Sequence, residues 1–317
     1  MKLITGVSGR TGGEVATTLL SKNERIRVLV RSDKDAKKWF ERGAEIALGD
    51  FFDADSVSLA FDGIESAYIM TPPLAHSDDL MRDRLIIETN IVNACQKHEP
   101  KNIVCLSAFG AHLKSGTGQI AGLHEMENRF SAAGINFTSL RAAYFMENWD
   151  PSISKALEQG TLGSFIQETD LQIEQVSTLD IARCAIESLN QPVSGQRYIS
   201  VAGPTMCSAT DIAAAMSKTL SREIDTVGIP FRCNKVKIAE DGEILVQGEN
   251  VMLGYWNKKT ETDKVLVDSW LHTGDIGKFV NGYLKITDRK KDILITPGGD
   301  NISPVKVETE ITKSNFI

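Results

Sequence analysis

The sequence has few cysteines, and they form no pattern that would bind a metal. Its 317 residues include five cysteines, with no CxxC pair and no cysteine–histidine cluster at the spacing of metal ligands. We therefore expect no metal site and a reducing, cytoplasmic location. The cysteines are Cys95, Cys105, Cys184, Cys207 and Cys233.

Long apolar runs and an excess of positive charge are also missing. No stretch approaches the roughly eighteen apolar residues of a membrane span. After Lys2, Leu3-Ile4 lead straight into a glycine-rich turn, which leaves no room for the apolar core of a signal peptide. A net charge of -7 with both signs interspersed argues against a nucleic-acid binder, which needs a basic face. We expect a protein that acts on a small molecule, without membrane or nucleic-acid partners, and the oligomeric state stays open.

Short apolar runs alternate with amphipathic stretches from residue 1 to about 225. The predicted strands are Met1–Thr5, Ile26–Val30, Glu45–Leu48, Ser66–Met70, Asn102–Ser107 and Phe137–Leu140. The predicted helices are Gly13–Ser21, Ala36–Arg42, Ser56–Ala60, Leu80–Lys97 and Leu123–Ala133, with another starting near Thr178. This alternation predicts an α/β fold of Rossmann type, a doubly wound parallel sheet with helices on both faces.

The character of the sequence changes near Thr226, after which turns and short apolar runs dominate. The predicted elements are a hairpin within Phe231–Gly248 that turns at Asp241-Gly242, a glycine turn at Asn281-Gly282, and strands Tyr283–Thr287 and Asp292–Thr296. We therefore predict a Rossmann-like domain over residues 1–225 and a β-rich C-terminal fragment over residues 226–317.

A glycine-rich turn, Gly6-Val7-Ser8-Gly9-Arg10-Thr11-Gly12, follows the first predicted strand and precedes a helical run. A pyrophosphate needs several close N–H donors, which such a turn supplies where glycines leave the approach open. We expect Gly6 to permit the tight turn, Gly9 to admit a dinucleotide and Gly12 to pack the helix on the strand. Ser8, Arg10 and Thr11 complete the predicted site. A glycine triplet alone also occurs in plain turns, and its place after a strand is what favours a nucleotide site.

The end of the second predicted strand indicates which dinucleotide binds. NAD sites place Asp or Glu there, whereas this strand ends in Arg31. A guanidinium suits the ribose 2′-phosphate of NADP(H), and Arg10, with Lys34 or Lys37, can assist. The sequence therefore favours NADP(H) over NAD(H). The alternative is that Arg31 is an ordinary exposed charge and that the lysines form a solvated helix face.

Six motifs occur in order over roughly residues 1–225. They are TGVSGRTGG, VLVRS, Gly49-Asp50-Phe51, Thr71-Pro72-Pro73, NIVCLSAFGA and INFTSLRAAYFMENW. Together they resemble the NmrA-like group of atypical short-chain dehydrogenases. The resemblance implies an NADP(H)-binding oxidoreductase. It places Asp50 and Phe51 near the adenine, Thr71 and Pro72 along the cofactor, and Ser107, Ala108, Tyr144 and Phe145 near the nicotinamide.

A proton donor for this chemistry is missing from the first 225 residues. Short-chain dehydrogenases pair a tyrosine with a lysine four positions later, and the one such pair, Tyr255 with Lys259, lies beyond the Rossmann-like domain. In NmrA-like relatives the corresponding helix often begins with Lys or His, and Leu123 takes that position here. His124 beside it can serve as an acid, or is a surface histidine at a helix start. Tyr144 is a second candidate.

Two functions stay open for this domain. The first is transfer of hydride to a quinone or another small electron acceptor, since a quinone needs less help from a positioned acid than a ketone. The second is a non-catalytic module that senses NADP(H) and acts through partners.

Three motifs after residue 226 are GEILVQGENVMLGYWN, WLHTGDIGKF and GYLKITDRKKDILITPGGDNISPVKVE. They resemble the acyl-CoA synthetase branch of the adenylate-forming, AMP-binding enzymes. The resemblance implies that Asp275 holds the ribose of ATP, that Arg289 assists, and that Lys291 lies at a hinge between domains. The family's TSGTTGxPKG-like phosphate loop is absent, and the sequence ends at Ile317 before its terminal lysine. We therefore expect a ligase remnant with vestigial site residues and no ligase activity.

An apolar run within this remnant would normally be covered by parts of the ligase that are absent here. It comprises Val251, Met252, Leu253, Tyr255 and Trp256. Unless these side chains find new cover, they form an exposed apolar patch, so we expect a weakly packed or aggregation-prone C-terminal third.

Overall fold

The computed structural model describes residues 1–72, 74, 77–166, 168–228, 233–255, 257–280, 282–290, 294–295 and 301–302. The chain divides into two compact units. The first comprises Met1–Asn148 and Ile173–Met206, and the second Trp149–Gln172 and Cys207–Ile317. Within the described ranges, every helix is too short or too polar to cross a bilayer.

Strands and helices alternate through the first part of the chain, and strands dominate the last. The strands are β1 Lys2–Ile4, β2 Ile26–Val30, β3 Glu45–Leu48, β4 Ser66–Ile69, β5 Asn102–Ala108, β6 Phe137–Ala142, β7 Tyr144–Phe145, β8 Thr161–Ser164, β9 Ile173–Val176, β10 Gln196–Val201, β11 Met206–Cys207, β12 Asp225–Gly228, β13 Asn234–Ile238, β14 Glu243–Gly248, β15 Leu266–Val267, β16 Trp270–Val280, β17 Tyr283–Arg289, β18 Leu294–Ile295 and β19 Asn301–Ile302. The helices are α1 Arg10–Ser21, α2 Asp33–Phe40, α3 Ala54–Phe61, α4 Leu80–His98, α5 Ala121–Ala132, α6 Asp150–Gln159, α7 Thr178–Leu189, α8 Ala209–Leu220 and α9 Lys259–Val265.

The first unit is built on a seven-stranded sheet in the order β10-β6-β5-β4-β1-β2-β3. Every neighbouring pair in this sheet is parallel. The strand order reverses between β1 and β4, and the crevice above such a reversal is where open α/β sheets bind ligands. The prediction of a doubly wound, Rossmann-like parallel sheet is confirmed.

Hydrophobic cores lie on both faces of this sheet because successive strand residues point to opposite sides. Ile4 belongs to the core under α1, α2 and α7, whereas its neighbour Leu3 belongs to the core under α3, α4 and α5. Trp39 is buried in the first core and Phe130 in the second. Each strand of the middle of the sheet is therefore apolar on both sides, as strands covered by helices must be.

Side-chain caps explain where several helices begin. The hydroxyl of Ser32 accepts a hydrogen bond from the backbone N–H of Asp35, so α2 starts at Asp33 rather than at the predicted Ala36. Helix α1 starts at Arg10, three residues before the predicted Gly13, directly after the glycine turn. The predicted helix near Thr178 is confirmed as α7, with Ser177 as its cap.

The second unit contains a sheet with the order β13-β14-β16-β17-β12-β8, and β15 pairs with β16. The predicted hairpin at Asp241-Gly242 is confirmed as β13 and β14, and Gly242 has a φ of +85°. Strand β12 pairs in parallel with β8 and in antiparallel with β17. A salt bridge of 2.6 Å between Lys285 and Asp225 supports the second pairing.

One sheet thus holds strands from both sides of residue 225. The domain boundary near residue 225 was inferred from a change in the character of the sequence, and it stays a prediction. The predicted strand Tyr283–Thr287 is present within β17, and of Asp292–Thr296 only β18 lies within the described residues. Asn281 of the predicted glycine turn lies outside them.

The apolar run that begins at Val251, which was predicted to be exposed, is exposed in part. Leu253 is fully exposed and Tyr255 is about half exposed. Val251 and Met252 are half-buried, and Trp256 lies outside the described residues.

Candidate functional site

The glycine turn connects β1 to α1, and its first and last glycines each have a structural reason. Gly6 has a φ of +65°, a left-handed conformation that favours glycine. The N–H of Gly9 donates to the carbonyl oxygen of Gly6 at 2.9 Å, which closes the turn. A Cβ atom at Gly12 would overlap the carbonyl oxygens of Thr5 and Gly6, so this glycine lets α1 lie directly against β1.

A cleft of about 580 Å3 lies above the carboxyl ends of β1 to β4. Its volume falls within the range of small-molecule sites. Gly9, which precedes α1, has no side chain to cap that helix, and the N-terminus of a helix is a favourable place for an anion. The lining residues are Gly6, Val7, Ser8, Gly9, Leu29, Val30, Arg31, Ser32, Asp35, Gly49, Asp50, Phe51, Met70 and Pro72.

The cleft brings together seven of the residues predicted to bind a cofactor. They are Gly6, Ser8, Gly9, Arg31, Asp50, Phe51 and Pro72. Arg10, Thr11, Gly12, Thr71 and Ser107 lie outside this lining. The guanidinium of Arg10 donates to the carbonyl oxygen of Glu147 at 2.8 Å, and Thr11 is buried.

Charged side chains of both signs lie at the end of the cleft beside β2 and α2. Arg31 lies 3.7 Å from the carboxylate of Asp50. Asp35 accepts hydrogen bonds from the hydroxyls of Ser8 at 3.1 Å and Ser32 at 3.0 Å. Lys37, predicted as a possible helper of Arg31, forms a salt bridge of 3.9 Å with Glu41 on the exposed face of α2. Sequence reasoning missed Asp35, although it lies only four residues after Arg31, in the first turn of α2.

A buried carboxylate organises the region where the nicotinamide end was predicted. Glu127 accepts hydrogen bonds from the hydroxyls of Ser107 at 2.8 Å and Ser139 at 2.5 Å, and from Arg141 at 2.6 Å. The hydrogen bond from Arg141 to Glu127 raises the pKa of the Arg141 guanidinium. Sequence reasoning did not connect Glu127 with Ser107, because the contact depends on how α5 packs against β5 and β6.

The two candidate acids are both half-buried. The Nδ1 atom of His124 lies 2.8 Å from the carbonyl oxygen of Ala111, so this nitrogen carries the proton and donates it. Burial raises the pKa of Tyr144, and a hydrogen bond with Asn148 opposes that rise. Neither residue belongs to the cleft lining.

Asp275 and Arg289 lie directly opposite each other on β16 and β17. Their side chains form an ion pair of 3.1 Å, in which Arg289 is largely exposed. The third predicted residue of this group, Lys291, lies outside the described residues. Over the part of the chain that the structure describes, no three His, Cys, Asp or Glu side chains come together as metal ligands do.

The sequence matches the NmrA-like family over residues 2–254. This chain belongs to the NmrA-like family. The NADPH-dependent quinone oxidoreductase of Escherichia coli, solved with NADPH, has the same fold as the NmrA-like part, with a TM-score of 0.62 and 24% identity. That likeness covers 72% of this chain and 78% of the oxidoreductase. The NAD(P)H azoreductase of Xenophilus azovorans is 24% identical over 229 residues, 72% of this chain and 77% of the azoreductase.

A second similarity concerns a much shorter stretch of the NmrA-like chain. The long-chain-fatty-acid–CoA ligase FadD15 of Mycobacterium tuberculosis is 41% identical over 105 residues, or 33% of this chain. Those residues amount to 18% of the ligase, so the chain spans less than a fifth of that relative's length.

Proposed function

We propose that this chain binds NAD(P)H in the cleft above β1 to β4 and passes hydride to a small electron acceptor such as a quinone. The observation that carries the proposal is the glycine turn at the switch point of the sheet, where Gly6 and Gly9 line the cleft. Oxidoreductases that use NADPH or NAD(P)H are similar in sequence or fold over 72% of the chain.

The residues of the cleft fit a dinucleotide. Gly9 presents no side chain to the space in front of α1, and a pyrophosphate there would accept hydrogen bonds from first-turn N–H groups. Phe51 and Leu29 supply apolar surface for a planar base. When bound, the dihydronicotinamide supplies the hydride, and the chain's own residues hold and orient it.

Turnover is tested by following NADPH oxidation with a panel of quinones. We expect oxidation that depends on both protein and quinone, because a quinone accepts hydride without a strongly positioned acid. Gly9→Val, which fills the cleft in front of α1, is the matched inactive variant. Absence of oxidation with every acceptor, together with tight NADPH binding, would contradict the oxidoreductase proposal.

That outcome would favour a sensor of NADP(H). The observation behind this second candidate is that polar groups near the predicted nicotinamide end already have partners. The hydroxyl of Ser107 donates to Glu127, and His124 donates to the carbonyl of Ala111. The hydroxyl proton of Ser107 and the Nδ1 proton of His124 are thus both taken up by acceptors within the protein.

The preference for NADP(H) over NAD(H) is also proposed, and it depends on Arg31. We expect Arg31→Ala to weaken NADP+ binding about tenfold or more, because a charge-assisted hydrogen bond to phosphate contributes about 1.5–3 kcal/mol. NAD+ binding should change little, since that cofactor has a hydroxyl in place of the phosphate. Calorimetric titration of both cofactors measures the two dissociation constants.

Arg25→Ala is the control for this experiment. Arg25 is an exposed arginine just before β2, at the end of the strand opposite to Arg31. Its removal should leave both affinities unchanged. The 2′-phosphate assignment is refuted if the wild type binds NAD+ as tightly as NADP+, or if Arg31→Ala has no effect.

We infer that the ligase-like stretch is a remnant without ligase activity. Its similarity to FadD15 covers only 18% of that enzyme, and the phosphate loop motif does not occur in the sequence. Asp275 and Arg289 pair with each other across two strands. ATP binding should be undetectable by calorimetry, and micromolar affinity would revive the ligase interpretation.

A further inference from the structure

Asp35 lines the same cleft as Arg31 and belongs to the first turn of α2. Its Oδ2 atom accepts hydrogen bonds from the hydroxyls of Ser8 and Ser32. Its own N–H donates to Ser32 at 3.1 Å. These bonds tie the carboxylate to the glycine turn on one side and to the end of β2 on the other, so its position is well defined.

The charged residues of the cleft lining are Arg31, Asp35 and Asp50, which sum to one negative formal charge. The side chain of Arg31 is 72% exposed and lies 3.7 Å from Asp50, whose side chain is 39% exposed. A phosphate bound here would compete with the Asp50 carboxylate for the Arg31 guanidinium. The lining is therefore less favourable to a dianion than Arg31 alone suggests.

We propose that Asp35 is a specificity-determining residue that opposes the 2′-phosphate of NADP(H) and so keeps the preference over NAD(H) small. This inference rests on the proposed function. A phosphate monoester carries about -1.5 to -2 charges at neutral pH, and a carboxylate within a few ångströms repels it. The 2′-hydroxyl of NAD(H) is uncharged and experiences no such repulsion.

Asp35 also accepts a hydrogen bond from the hydroxyl of Ser8. Ser8 is part of the turn that would surround the pyrophosphate, and a hydroxyl has one proton to donate. While Asp35 accepts that proton, Ser8 offers a phosphate only its oxygen. The carboxylate thus affects the phosphate-binding end of the cleft by its charge and by this hydrogen bond.

Asp35→Asn is the test. Asparagine has nearly the same shape and keeps a side-chain oxygen that can accept hydrogen bonds from Ser8 and Ser32. We expect NADP+ to bind about tenfold more tightly and NAD+ to change by less than about threefold, a separation of roughly 1 kcal/mol. A gain of affinity cannot be produced by a damaged fold.

Asp33→Asn is the matched control, because Asp33 is exposed in the same first turn of α2 and lies outside the cleft lining. It removes the same charge and should leave both affinities unchanged. The gain from Asp35→Asn should shrink as salt is raised, since the side chain is only half-buried.

The outcomes separate this inference from the proposed function. A wild-type protein that binds neither cofactor defeats both. A wild type that binds NADP+, with Asp35→Asn leaving the ratio of the two affinities unchanged, overturns the role of Asp35 alone. An equal gain for NAD+ and NADP+, or an equal gain from Asp33→Asn, also overturns it, because the effect would then not depend on the 2′-phosphate or on this position.

Discussion

Gly12→Ala should lower the free energy of unfolding by about 2 kcal/mol and abolish dinucleotide binding. Alanine is the better helix former by about 1 kcal/mol, but its Cβ would overlap the carbonyl oxygens of Thr5 and Gly6. Those atoms are backbone and cannot rotate away, so α1 must lift from β1, and overpacking of this kind costs about 1–3 kcal/mol or more. Val15 and Leu19, both fully buried on α1, would lose packing as the helix moves. Urea unfolding measures the loss.

Gly9→Ala is the comparison that separates packing from binding. A Cβ atom at Gly9 would lie 3.2 Å from the carbonyl oxygen of Gly6, a contact that a shift of a few tenths of an ångström relieves. We expect stability to fall by less than about 1 kcal/mol, because Gly9 occupies the N-cap position in extended backbone and makes no side-chain contact. NADP+ binding should still fall at least about tenfold, since Gly9 lines the cleft. Equal losses of stability in the two variants would contradict these separate roles.

Local sequence patterns predicted the Rossmann-like sheet because each of its central strands is buried on both faces. Ile26–Val30 and Glu45–Leu48 match the observed β2 and β3 at both ends. The two-residue strand β7 was not predicted, because Tyr144-Phe145 has too few residues to show a period. Helix α9 was not predicted within the β-rich fragment, where Lys259–Val265 is short and polar.

The candidate site was predictable where it depends on residues adjacent in the chain. The glycine turn and Arg31 directly follow strands, and their place at the carboxyl edge comes from parallel topology. Asp35 was missed because its relevance depends on a hydrogen bond to Ser8, 27 residues away. The network of Glu127 was missed for the same reason, since its partners lie on two different strands.

A buried carboxylate links two neighbouring strands of the ligase-like stretch. Glu243 is buried and accepts hydrogen bonds from His272, Lys290 and the N–H of Gly274. Burial raises the pKa of this carboxyl, but the three donors together hold it below its usual value. A side chain with this many partners stabilises the β14–β16 pairing locally.

Glu127→Ala should lower the free energy of unfolding by about 3 kcal/mol, near the lower end for a broken buried ion pair because Arg141 retains some access to water. The change leaves the Arg141 guanidinium without its carboxylate, and it leaves the hydroxyls of Ser107 and Ser139 without their acceptor. Glu125→Ala, on the same helix but less buried, should cost less than about 0.5 kcal/mol. Urea unfolding of both variants measures the difference.

The double variant Glu127→Leu/Arg141→Met shows whether the loss of stability comes from the unpaired Arg141 guanidinium or from the lost hydrogen bonds of Ser107 and Ser139. If the stranded guanidinium dominates, removing both partners should restore most of the stability, because apolar replacements of a buried pair are often neutral. Arg141 also lies 4.4 Å from the ring of Tyr198, and methionine keeps a contact with that ring. A double variant no more stable than Glu127→Ala would show that the charge is not the cause. The hydroxyls of Ser107 and Ser139, left without an acceptor in both variants, would then account for the loss.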